Sequence, residues 1–265
     1  PFCGSASVFL NLPKPYCVEV LNDLDGEIIN FFRVLQDQEK FHEFVHRLVW
    51  TPYSLDEFRR ALAIKKSTDN EYDDIDRAWA FFVGQGQGLS GNSKTEGNWG
   101  RKFMSQHNIS ETASDWRRFI KNLINVHERL SAVQLDNRDA LTVIKYWDTD
   151  KTIFYIDPPY MLSTRTKSGQ KLYSHEMDDD QHNKLINTLL DIKGKVILSG
   201  YDSDMYHVLD SHGWNRYEKN LMCNMTCRTR GSGLKSDGSG TKDGSRKEIV
   251  WTNFKNIYKI DDFIE

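Results

Sequence analysis

The stretch Thr152-Ile153-Phe154-Tyr155-Ile156-Asp157-Pro158-Pro159-Tyr160 decides the reading of this chain. It opens as a β-branched and aromatic run, the mark of a buried strand. It then stops on a carboxylate, two prolines and a tyrosine. Neither proline can donate a ladder hydrogen bond, so the strand must end there. The prolines also stiffen the turn and fix Asp157 relative to Tyr160. An acid and an aromatic ring at the carboxyl end of a strand stand where an open α/β sheet binds its ligand. The plainer alternative is an ordinary strand-ending turn with an Asp cap.

Working outward, the pattern on both sides is strand–helix alternation. Tyr16 to Leu21 reads as a strand ending on Asn22-Asp23, and Ile28, Ile29, Phe32 and Leu35 follow at helical spacing. Ala132 to Leu135 reads as another strand, with a helix after it to Trp147. Beyond the central stretch comes a polar loop from Ser163 to His175. Asp178-Asp179-Asp180 then caps a helix through Leu190, closed by Gly194, and Lys195 to Tyr201 is a further strand. Two terminal strands, about 214–227 and 248–254, flank a low-complexity Gly/Ser/Lys segment at 231–247.

Residues 37–130 lack that alternation. Phe41, Phe44, Val45 and Leu48 form one helical stripe, and Leu55, Phe58, Leu62 and Ile64 another. Gly84 to Lys94 reads as a flexible loop rich in glycine and amide side chains, running on to Arg101-Lys102. Amides read base edges and cations bind phosphates. Asn92, Arg101 and Lys102 are thus candidate DNA contacts, against the alternative of a plain surface loop. Residues 51–130 read as an inserted recognition region.

The chain opens on Pro1-Phe2-Cys3-Gly4-Ser5-Ala6. Small residues there let the backbone approach a ligand closely, and Asp23 follows about 20 residues later at a strand end, the ribose-binding arrangement of nucleotide-type cofactors. A helix N-cap is the alternative role for Asp23.

The 265 residues, 38% of them hydrophobic, suffice for one large or two small domains. No run reaches the ~20 apolar residues of a membrane-spanning helix, and no signal peptide is visible. Four cysteines, with Cys223 and Cys227 spaced C-x3-C but lacking a second pair, read as reduced thiols in a cytoplasmic protein without a metal site. The net charge of −3 hides an uneven distribution: seven bases stand against four acids from Lys94 to Leu130, and six against two from Met222 to Lys247. Such patches are compatible with a polyanion bound on one side.

Asp-Pro-Pro-Tyr after an apolar strand, preceded by a Phe-x-Gly-x-small loop and a strand ending in Asn-Asp, resembles the Dam-type DNA adenine N6-methyltransferases. The resemblance covers most of the chain and includes Asp23 to Phe32, Phe82 to Gly91, Ser199-Gly200-Tyr201 and Glu248 to Asn253. It implies a Rossmann-like α/β sheet, residues 1–50 and 131–265, with 51–130 as a mostly helical target-recognition insertion. It implies S-adenosylmethionine against Phe2, Gly4, Ser5, Ala6, Asp23, Asp139 and Asp157, with double-stranded DNA as partner. Asp157, Pro158, Pro159 and Tyr160 would form the catalytic motif, and Leu89 and Ser90 would meet the flipped base. Asp139 has a helix cap as its alternative role. The family has a second glycine where this chain has Ala6, and a basic segment and first strand before the position of Pro1. A non-catalytic DNA-binding or partner subunit is therefore a second reading. N4-cytosine or RNA adenine methylation is a third, although Asp rather than Ser before the prolines favours adenine. Recognition sequence, oligomeric state and whether a restriction enzyme accompanies the protein in a restriction-modification pair are not legible.

Overall fold

The computed structural model describes residues 1–13, 17–68, 71–89, 95–100, 105–106, 109–161, 175–222 and 245–255. They form two compact units, Cys3–Asn137 and Arg138–Glu265 with Pro1–Phe2.

The first unit is mostly helical. Strand β1 (Val20–Asn22) lies parallel to β4 (Gln134–Asp136). Between them come α2 (Gly26–Gln36), α3 (Gln38–Val49), α4 (Leu55–Lys66), α5 (Asp74–Gln87), the short antiparallel pair β2 (Ser105–Gln106) and β3 (Ile109–Ser110), and α6 (Glu111–Leu130). A five-residue helix, α1 (Ser7–Asn11), precedes β1. Helices α2 to α5 each start where a side chain takes over a backbone donor that the first turn leaves unpaired. Asp25 caps α2, Asp37 caps α3 and Ser54 caps α4, while Asp73 and Asp76 close a reciprocal capping box on α5. The expected stripes form the core: Ile29, Phe32 and Leu35 pack with Phe41, Phe44, Leu48, Trp79 and Val83 in one cluster. Helix α2 packs on both α3 and α5, so residues 51–130 share a core with the segment before them. Arg129 holds α6 to the lead-in of β1 through two bonds to the Glu19 carboxylate, at 2.5 and 2.6 Å.

One expectation fails here. Gly84 to Gln87 is not loop but the last turn of α5. Glycine serves close approach: a Cβ on Gly86 would lie 2.9 Å from the Trp116 ring of α6. The Gln87 amide is fully buried and spent on backbone, donating to Pro52 O at 3.0 Å and accepting from Ser54 N–H at 3.2 Å.

The second unit is a four-stranded mixed sheet of order β5-β6-β8-β7. Strands β5 (Ile153–Ile156) and β6 (Lys195–Tyr201) are parallel, while β8 (Ser245–Thr252) runs antiparallel to β6 and to β7 (Asn215–Met222). Helices α7 (Ala140–Trp147), α8 (Asp179–Leu190) and α9 (His207–Ser211) complete it. Phe154, Ile156, Val196, Leu198, Ile249 and Trp251 pack in one cluster with Ile144, Leu185, Leu189, Tyr206 and Leu209. The alternate positions of β5, Ile153 and Tyr155, are exposed. Strand periodicity therefore places Tyr155 and Asp157 on the less covered face. Gly194 does not close α8, whose cap is Asp191. It lets the chain pass Phe154, whose ring a Cβ there would meet at 2.9 Å.

Candidate active site

In the first unit, Gly4 and Ala6 both adopt left-handed backbone, with φ of 48° and 53°. Glycine does this freely; an alanine there strains by about 1–2 kcal/mol. The turn is held from β1. Cys3 N–H donates to Asn22 O at 2.9 Å, and Gly4 N–H donates to Asp23 Oδ2 at 2.8 Å. Asp23 Oδ1 accepts the Asp25 N–H at 2.9 Å, and Asp25, not Asp23, caps α2. Asn137, which the sequence reading passed over, donates to Asp23 O at 2.7 Å and so ties the end of β4 to the end of β1. Burial, then the Asp23 charge, pushes the Cys3 thiol up to about 12, so it stays protonated. Ser5 is exposed and Ala6 buried. A Cβ built on Gly4 would have nothing within 4 Å, which leaves that side of the turn open.

In the second unit, Phe2 packs against the sheet's core cluster. Asp139 is the N-cap of α7. Its Oδ1 accepts from Leu141 and Thr142 N–H at 3.0 and 3.2 Å, the helix-cap role weighed above.

Asp157 leaves β5 exposed, Pro158 is buried and Tyr160 is half-buried. The Ser199 hydroxyl donates to Asp157 Oδ1 at 2.7 Å. The register explains the contact: Ile156 pairs with Leu198, so the next residues along, Asp157 and Ser199, stand side by side. The Tyr160 ring lies 4.3 Å from that of Tyr201, tilted 45°. Glu248 pairs with Tyr201 across β8. Burial, then the Asp157 charge, raises its carboxyl above the ordinary value, opposed by Lys219. Burial, then Asp157, likewise raises the Tyr155 phenol. Tyr155 and Glu248 were in the sequence without a role. Their chemistry comes from strand register, which pairs residues across chain distances no short motif spans.

Leu89 lies just past α5, 61% exposed, with its N–H bonded to Asn98 O at 2.6 Å. Ser90, Asn92, Arg101 and Lys102 lie outside the described residues, as do Cys223 and Cys227 and nearly all of 231–247. No helix among the described residues is long and apolar enough to cross a membrane.

Asp157 is an exposed carboxylate with one oxygen already fixed, a short rigid turn away from an aromatic face. Such a pair can accept N–H hydrogens from a flat ring's amine while supporting the ring. Residues 1–225 match the family model described as D12 class N6 adenine-specific DNA methyltransferase. No curated protein matches the chain.

Proposed function

Since the chain belongs to the D12 class N6 adenine-specific DNA methyltransferases, we propose that Asp157, Pro158 and Tyr160 form the clamp that presents adenine N6 for methylation. An adenine inside a duplex cannot be reached, so the target base is flipped into the site. Its exocyclic amine is a poor nucleophile because the lone pair is delocalised into the ring. The Asp157 carboxylate and the Pro158 carbonyl each accept one N–H, which draws the nitrogen toward sp3 character. The lone pair would then form the new N–C bond as the bond between the transferred methyl and the donor's sulfur breaks, with its electron pair staying on sulfur, and the proton lost by the amine would pass to solvent. Tyr160 stacks on the base, worth about 1–3 kcal/mol. Pro159 keeps the turn rigid.

S-adenosylmethionine would supply a methyl group already activated by its positive sulfur, so placement and electrostatics provide the rate. The turn at Gly4, Ser5 and Ala6 fits such a group: its backbone lies open at Gly4, and the Asp23 carboxylate stands at the end of β1. Phe2, Asp139 and Asp157 would complete the cofactor contacts. We assign residues 1–50 and 131–265 to a Rossmann-like catalytic domain and 51–130 to target recognition in double-stranded DNA. Exposed Leu89 would fill the stack at the flipped base, with Ser90, Asn92, Arg101 and Lys102 on the DNA.

The observation that carries this reading is Asp157 at the end of β5, with Oδ1 fixed by Ser199 and Tyr160 three residues on. In the full-length protein, Asp157→Ala should abolish transfer of labelled methyl to DNA while calorimetry still detects S-adenosylmethionine binding. Full activity in that variant would sink the mechanism.

A further inference from the structure

The geometry points to Ser199 as a positioning residue for the reaction: its hydroxyl fixes which oxygen of Asp157 faces the substrate amine. This rests on the reading of Asp157 as the amine's acceptor.

The argument is one of donors and lone pairs. A serine hydroxyl has one proton to give. At 2.7 Å from Asp157 Oδ1 that proton lies on the carboxylate; the other oxygen near it, Ile156 O, is 3.5 Å away, too far to compete. The serine's one proton is therefore spent on Asp157 Oδ1.

The Ser199 bond stops the carboxylate from rotating. It also leaves Oδ2 as the acceptor for the amine, since among the described residues no hydrogen bond is made to that atom. The components come from neighbouring positions of β5 and β6 on one sheet face, so the backbone ladder sets their spacing. Glu248, on the same face of β8 and opposite Tyr201, adds a negative charge that Asp157 feels.

The test uses Ser199→Ala and Ser199→Thr in the full-length protein, with Asp157→Ala as reference. A neutral donor to a charged acceptor is worth enough that Ser199→Ala should slow single-turnover methyl transfer about tenfold or more. Dissociation constants for DNA and S-adenosylmethionine should stay within about twofold, because the bond is felt in the chemical step rather than in binding. Ser199→Thr keeps the hydroxyl and should recover most of the rate. Wild-type rates in Ser199→Ala, equal damage in the alanine and threonine variants, or a loss of binding in proportion to rate would each overturn the assignment. If Asp157→Ala is dead and Ser199→Ala fully active, the clamp stands and the positioning role falls. If Asp157→Ala is active, the clamp itself fails.

Discussion

The amide of Gly4 donates to the carboxylate of Asp23 at 2.8 Å, so the residue at the end of β1 shapes the turn that precedes it in the chain. Both Asp23 oxygens accept backbone N–H groups, from Gly4 and Asp25. Bonds to a charged acceptor contribute about 1.5–3 kcal/mol each. Asp23→Asn keeps the shape but turns an NH2 group toward one of those amides. It should lose about 2 kcal/mol in urea denaturation, and titration calorimetry should show weakened S-adenosylmethionine binding.

The left-handed backbone at Ala6 gives a second expectation. A β-branched side chain is poorly tolerated at positive φ, and Ala6 is buried. Ala6→Val should therefore lower stability by about 2 kcal/mol or more. Ala6→Gly relieves the strain but gives up a buried methyl worth about 0.8 kcal/mol, so it should lie near wild type. Thermal melts of the two variants check the contrast.

Gly86 sets two effects against each other. Inside a helix Gly→Ala gains about 1 kcal/mol of propensity. The new methyl would stand 2.9 Å from Trp116, which is 3% exposed and anchored by its Nε1–H to Thr51 O at 3.0 Å. Overpacking of that kind costs about 1–3 kcal/mol. Gly86→Ala should be net destabilising, with a changed near-ultraviolet signal from Trp116.

Tyr160 tests the base platform. Tyr160→Phe keeps the ring and its neighbour Tyr201, so methyl transfer should stay close to wild type. Tyr160→Ala removes a stack worth about 1–3 kcal/mol and should cut kcat/KM roughly 10- to 100-fold. Equal rates in both variants would remove Tyr160 from the mechanism.

Glu248 predicts a pH dependence. Its folded-state value is raised above the ordinary 4.5, first by burial and then by Asp157. Stability from such a group is present below the unfolded value and lost as pH rises through the folded one. The ionised form is therefore a cost at neutral pH. Glu248→Gln should be more stable than wild type at pH 7, with the difference shrinking as pH falls through the raised folded-state value and gone below about 4.5. Melting curves across that range read the effect.

Much of this architecture is legible in the residues. The apolar run before Asp157 is a strand, the stripes of α2 and α3 form the core, and Lys195–Tyr201 has the expected bounds. What escaped reading lies in contacts across the chain. Glycine-rich Gly84 to Gln87 looks like loop because composition does not reveal Trp116 waiting to pack on it. Gly194 looks like a helix stop because its closeness to Phe154 depends on sheet register. The motif places Asp157 and Tyr160, but Ser199 becomes their neighbour only once β5 and β6 are paired.

The bond from Ser199 to Asp157 also bears on how many times a site of this kind can act on one base. With Oδ1 occupied, the proposed clamp has two acceptors, Oδ2 and the Pro158 carbonyl, for the two hydrogens of an unmodified amine. A base that already carries one methyl has a single hydrogen left and leaves one acceptor unmatched. An unmatched buried acceptor costs about 1–3 kcal/mol, so the site tells substrate from product by counting hydrogens. The reaction then ends at the singly modified base, without a separate device to expel it.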